Sequence, residues 1–220
     1  TAISGALTNV TGNSGTRTFA GLVTINSGGS VALTTGTNPL LSFGAGVTAE
    51  SGSGSINFGT GTTTLTATQA FTSAGDMTFG AITVNSGVTF TNSVAGTLNL
   101  TSLTLASGAG GVTLPTSSTT TSSGTVTFTA NATATNTAIT LAGTATLNAG
   151  AITFSTPTSN GTQAIDVASG TLTVTGLTTI NGGASATSTI SASTGTLNFN
   201  AGVTIGGTSS NGRITTTDAG

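Results

Sequence analysis

The sequence predicts an all-β fold, a right-handed parallel β-helix (β-solenoid) of about nine to ten coils, with residues 1–220 forming a single domain. Three observations carry this expectation. Short triplets reading apolar, polar, apolar recur along the chain, Gly, Asn and Ser punctuate them, and the punctuation returns at repeat-like intervals.

The triplets come first. Met77-Thr78-Phe79, Ile82-Thr83-Val84, Leu98-Asn99-Leu100, Leu172-Thr173-Val174, Leu197-Asn198-Phe199 and Val203-Thr204-Ile205 have period two. Alternation over so few residues marks a very short strand with one face inward. Helical spacing is nowhere sustained, and Asn85-Ser86-Gly87 and Asn181-Gly182-Gly183 are turn formers. The stretch GDMTFGAITVNSG, Gly75 to Gly87, then specifies one coil. Gly75 turns the chain, Met77, Phe79, Ile82 and Val84 face the core, Thr78 and Thr83 face water, and Asn85-Ser86-Gly87 turns it again.

The intervals come next. Gly15, Gly36, Gly54, Gly75, Gly96, Gly124, Gly143, Gly170 and Gly195 anchor nine units, with steps from 18 residues (Gly36 to Gly54) to 28 (Gly96 to Gly124). Four residues after the anchors stand Phe19, Leu40, Phe58, Phe79, Leu100, Phe128, Leu147, Val174 and Phe199, all apolar. A fixed offset within units of variable length is what stacked coils joined by elastic loops produce, so these nine are expected to form one internal ladder. At about 4.8 Å per coil the ladder would extend about 40–45 Å. A sandwich needs no such recurrence. A membrane β-barrel needs strands of about nine to eleven residues and girdles containing Trp and Tyr, neither of which this chain contains. The spacing is too irregular for a left-handed hexapeptide helix, which favours the right-handed form with three short strands per coil.

Composition agrees with this architecture and removes several functions. Disordered chains pair low hydrophobicity with high net charge. Here the mean hydropathy is +0.34 and the net charge is −2, and β-branched residues abound. With Arg17 and Arg213 the only basic residues and no Tyr or Trp, the chain cannot neutralise a run of phosphates or stack bases, so it is not expected to bind nucleic acid. No Cys is present to build a disulfide framework. No run of eighteen or more apolar residues offers a transmembrane helix.

Reactive chemistry is sparse. The acids are Glu50, Asp76, Asp166 and Asp218, and a hydrolytic pair would need two carboxylates about 5–9.5 Å apart. Asp76 and Asp166 are separated by several units. Asn181-Gly182-Gly183-Ala184-Ser185 is the nearest approach to a calcium-binding nonapeptide and lacks the Asp. Ser and Thr hydroxyls have no His or Lys to activate them, and no Gly-Lys-Ser/Thr phosphate loop exists. No catalytic, cofactor-binding or metal-ligating residue is assigned, and the chain is not expected to be an enzyme.

The outer face holds what remains. Thr78, Thr83, Thr127, Thr153 and Thr173 with Asn57, Asn99 and Asn198 are expected to point outward as hydroxyl and amide rows, of the kind that bond to one another in register. Low charge leaves little repulsion between neighbouring molecules. The tract Thr116 to Ser123, TSSTTTSS, is expected to be a solvated loop after Pro115. Asn9-Val10-Thr11 and Asn131-Ala132-Thr133 match the glycosylation pattern, as chance allows in so Asn- and Thr-rich a chain. The ends, TAISGALTNVTGNSG and GRITTTDAG, read as partial coils rather than capping helices, which suggests a segment or subunit of a longer fibre.

The phrases GTLTVTGLTTINGG (Gly170 to Gly183) and GTLNFNAGVTIGG (Gly195 to Gly207) resemble repeats of bacterial secreted β-helices, namely autotransporter passenger domains and filamentous-haemagglutinin-like adhesins. The resemblance is compositional and spans most of the chain. It implies a secreted or cell-surface bacterial shaft, part of a larger adhesin, and carries over no binding residue. The first functional expectation is therefore a structural stalk or fibre segment. Its partners would be itself, by coil stacking or by lateral and end-to-end assembly, or host and abiotic surfaces and glycans. The alternative is a filament or sheath subunit stacking through open ends. Ice or crystalline-surface binding through Thr rows ranks lower. Thr171, Thr173 and Thr175, or Thr144 and Thr146, hint at such rows, but read along the chain the Thr-x-Thr element keeps no single place in the unit. A polysaccharide-active enzyme ranks last for want of acids.

Overall fold

A computed structural model describes residues 1–8, 15–33, 40–131, 135–207 and 211–217. Among the described residues every regular element is a strand, and the strands stack in parallel as a β-solenoid of about eight turns. These turns run from Val23 to Gly207, between a first coil whose residues 9–14 lie outside the described set and the single strand Gly212–Thr216. The count therefore falls slightly below the nine to ten expected.

Each turn uses three short strand segments. In the coil that contains GDMTFGAITVNSG these are Gln69–Ser73, Met77–Thr78 and Ala81–Val84. We call the surfaces built by the first, second and third segments faces 1, 2 and 3. Face 1 is a ten-stranded sheet from Ala2–Ile3 to Gly212–Thr216. Faces 2 and 3 merge into a sixteen-stranded sheet, because the long strands Thr119–Phe128 and Thr146–Phe154 pass round the corner between them. Glycine makes that corner possible. A Cβ on Gly150 would lie 2.2 Å from the Ser123 carbonyl oxygen, and one on Gly176 would lie 2.3 Å from that of Gly150. No side chain fits at such distances, so successive coils close up there only through glycine.

The stretch expected to make a whole coil supplies its second and third segments, Gln69–Ser73 coming before it, and its side chains lie as expected. Met77, Phe79, Ile82 and Val84 are buried, Thr78 and Thr83 are half-exposed, and Gly87 turns the chain at φ 73°. The interior is one continuous apolar cluster from Ile3 to Ala192. In the first coils it is aromatic: Phe43 meets Phe19, Phe58, Phe71 and Phe79 at ring-centroid distances of 5.1, 5.6, 5.9 and 6.2 Å. Further along, Phe128 stacks on Phe154 at 4.3 Å.

The nine anchored residues do not form one ladder. Phe58, Phe79, Leu100, Val174 and Phe199 share a register position at the end of face 2. Phe19 and Phe128 belong to the inner row of face 3 instead. Leu147 stands two residues earlier on face 2, between Thr120 and Leu172, and Leu40 is 46% exposed because Leu41 takes the core position. The anchor glycines occupy different corners. Gly75 and Gly96 precede face 2, whereas Gly124 lies between faces 2 and 3. Gly36 lies outside the described residues.

Only the first three residues of the tract TSSTTTSS, Thr116 to Ser118, form the expected turn after Pro115. Thr119 to Ser123 belong to the strand Thr119–Phe128, with Thr120 and Ser122 buried at 2% and 1% exposure. Thr120 replaces an aliphatic residue in the core and accepts a hydrogen bond from the Asn92 amide at 2.8 Å, an inward residue of face 1. Two polar side chains are thereby satisfied inside the column. Asn181-Gly182 likewise end the strand Thr178–Gly182 rather than forming a turn.

Candidate functional site on the outer faces

Because strand residues alternate in direction, every inward residue leaves a neighbour pointing out. The register between coils decides whether those neighbours align. On face 2 they form two columns. One runs Asn57, Thr78, Asn99, Thr121, Asn148, Thr173, Asn198, a strict alternation of Asn and Thr. The other is uniform, with Thr97, Thr119, Thr146, Thr171 and Thr196 in direct register. Together they make a grid five coils deep and two residues wide. On face 3 a single column runs from Thr18 to Thr204, all Thr except Ser42.

The outward placement expected for Thr78, Thr83, Thr127, Thr153, Thr173, Asn57, Asn99 and Asn198 holds. Hydrogen bonds tie part of the alternating column together. The Asn148 amide donates to the Thr121 hydroxyl at 3.4 Å and the Asn198 amide to the Thr173 hydroxyl at 3.3 Å. The uniform Thr column was missed in sequence because the coils differ in length and the strand TTTS at Thr119–Ser122 carries no apolar alternation. The register bears out that Thr-x-Thr is not kept in every unit, since within the grid it stands only at Thr119/Thr121 and Thr171/Thr173, with Thr-x-Asn in the other coils; what the register adds is the uniform first column. Thr146, Thr171 and Thr173 lie in the grid, whereas Thr144 and Thr175 fall in turns outside it.

Charge lies outside the grid. Glu50 accepts from the Ser27 backbone N–H at 3.2 Å and Asp76 from that of Thr97 at 2.7 Å. Asp166 accepts from the Ser191 hydroxyl. Each carboxylate thus clamps one coil to the next. Glu50 and Asp76 also line one open cleft of about 370 Å³ at the corner between faces 1 and 2, a pairing that sequence distance concealed. Asp218 lies outside the described residues. Among the described residues no group of three or more His, Cys, Asp or Glu could hold a metal ion, and no helix is long and apolar enough to cross a membrane.

Asn131 is fully buried, accepting from the Gly108 N–H and donating to the Thr135 carbonyl, so the folded chain offers no glycosylation acceptor there. Asn9 lies outside the described residues.

The fold and its outer rows place the chain among parallel β-solenoids. No family model, curated protein or solved structure matches it.

Proposed function

We propose that the chain is a shaft segment of an extracellular β-solenoid fibre, a stalk that spaces or displays part of a cell-surface adhesin. One observation carries the reading: each coil from Val23 to Gly207 pairs in parallel with the next along all three faces. Every strand is thereby hydrogen-bonded along the axis, which makes a stack stiff without disulfides or metal. The bacterial surface location rests on the resemblance of the repeats to secreted β-helices. Antibody labelling of intact producing cells, with mild protease shaving, tests it. Surface label released by protease is the expected result, and label confined to the cytosol overturns the proposal.

An end-to-end filament is the second reading, favoured by a net charge of −2 that leaves little repulsion between stacked copies. Electron microscopy of the purified chain separates the readings: filaments favour self-stacking, and monodisperse rods in dilute buffer count against it.

A further inference from the structure

We propose that the two-column grid on face 2, centred on Thr146, Asn148, Thr171 and Thr173, is an ice-binding surface, an activity beyond the shaft role and independent of it. Successive coils set one repeat of about 4.8 Å, and alternate residues along a strand set the other at about 6.6 Å. Both are comparable to the repeats of oxygen atoms on the prism face of hexagonal ice. The grid therefore offers hydroxyls and amides at spacings that an ordered water layer can occupy in two directions at once.

Chemistry narrows the occupant. Each Thr presents a methyl group beside a hydroxyl, and the strands of the grid carry no charged residue. A charged group would hold a hydration shell that a crystal lattice cannot absorb. A crystalline polysaccharide is the competing solid. Sugar rings are gripped by flat exposed aromatic faces, but the chain has no Trp or Tyr, and of the Phe residues of the grid coils Phe90, Phe128 and Phe154 are buried while Phe199 is half-buried against the core. Rigidity supplies the last requirement. The grid is fixed by parallel pairing on both sides of its central coils, so little side-chain or loop ordering is left to be lost on binding.

The uniform column supplies an internal contrast. Its Thr sequence begins at Thr97. The residue before Met77 on the coil below is Asp76, and the first coils place Ala6 opposite Ser30. The surface is thus bounded at one edge by a charge.

Thermal hysteresis and partition into slowly growing ice test the proposal on the whole chain. The unsubstituted protein is expected to enter the ice and delay its growth. Thr146→Lys with Thr171→Lys should abolish both effects, while Thr113→Lys with Thr140→Lys on face 1 should leave them intact. Thr146→Val with Thr171→Val keeps the branched shape and removes only hydroxyls, so it guards against a misfolded lysine variant and should weaken both effects. Exclusion of the unsubstituted protein from ice overturns the proposal. So does retention by both face 2 variants, or loss on Thr127→Lys with Thr153→Lys while the face 2 variants still bind. Capture by crystalline cellulose or chitin without entry into ice would assign the grid to a polysaccharide instead and also overturn it. None of these outcomes bears on surface display, which cell labelling reads separately.

Discussion

The first and second halves of the solenoid solve the same packing problem with opposite emphasis. From Val23 to Val84 the core is a cluster of Phe rings around Phe43, and the first outer column of face 2 is mixed. From Thr89 to Gly207 the core is largely aliphatic, holds the polar pair Asn92 and Thr120, and lies under the regular Thr and Asn grid. Alternation explains how both can occur, since inward and outward residues vary independently. The difference teaches that the regular exterior is not demanded by the core. A richer aromatic core sits under the less regular surface.

The comparison can be broken first at its aromatic centre. Phe43→Ala should cost about 3–5 kcal/mol, read as a fall in the denaturant midpoint, and Phe128→Ala should cost less because Phe128 has one ring neighbour. Equal losses would show that the ring cluster adds nothing specific to the first half. The corner glycines come next. Gly150→Ala forces a methyl group against the Ser123 carbonyl and should cost about 1–3 kcal/mol, as overpacking does, again read by denaturant unfolding.

Smaller effects should follow from two buried hydroxyls. The Thr63 and Thr178 hydroxyl oxygens are buried on the inner side of face 3 without a hydrogen-bond partner. Thr63→Val and Thr178→Val remove an unpaired polar group at nearly constant shape, so each should raise stability by about 1 kcal/mol. A fall in melting temperature for both would show that those hydroxyls are satisfied in solution. The smallest effect belongs to the grid. Thr146→Lys with Thr171→Lys should change stability by no more than about 0.5 kcal/mol per site, as for surface positions, which would separate exterior from core directly.

Fold class was legible because the triplets Met77-Thr78-Phe79 and Ile82-Thr83-Val84 alternate cleanly and turn residues bracket them. Stacking register was less legible. Glycines mark more than one corner of the coil, so Gly124 and Gly75 look alike in sequence while turning the chain at different places. The Thr119 to Ser122 strand was hidden for a related reason: Thr120 and Ser122 face inward, and without apolar residues at those positions the period-two signal vanishes. What makes the pair tolerable is Asn92, a partner from another face that no local pattern announces. The Thr grid needed the register as well, because the rows are made by hydrogen-bonded neighbours rather than by constant intervals in the chain.

The central claim is that coils are interchangeable units of a stack, and excising one tests it most directly. Thr146 and Thr171 occupy the same register position in adjacent coils, so deletion of residues 146–170 joins Ala145 to Thr171 at matching places. Circular dichroism and small-angle scattering of this variant should show an intact β signature, a cooperative melt and a rod shorter by about 4.8 Å. Loss of the β signature, or a compact particle of unchanged length, would contradict the account.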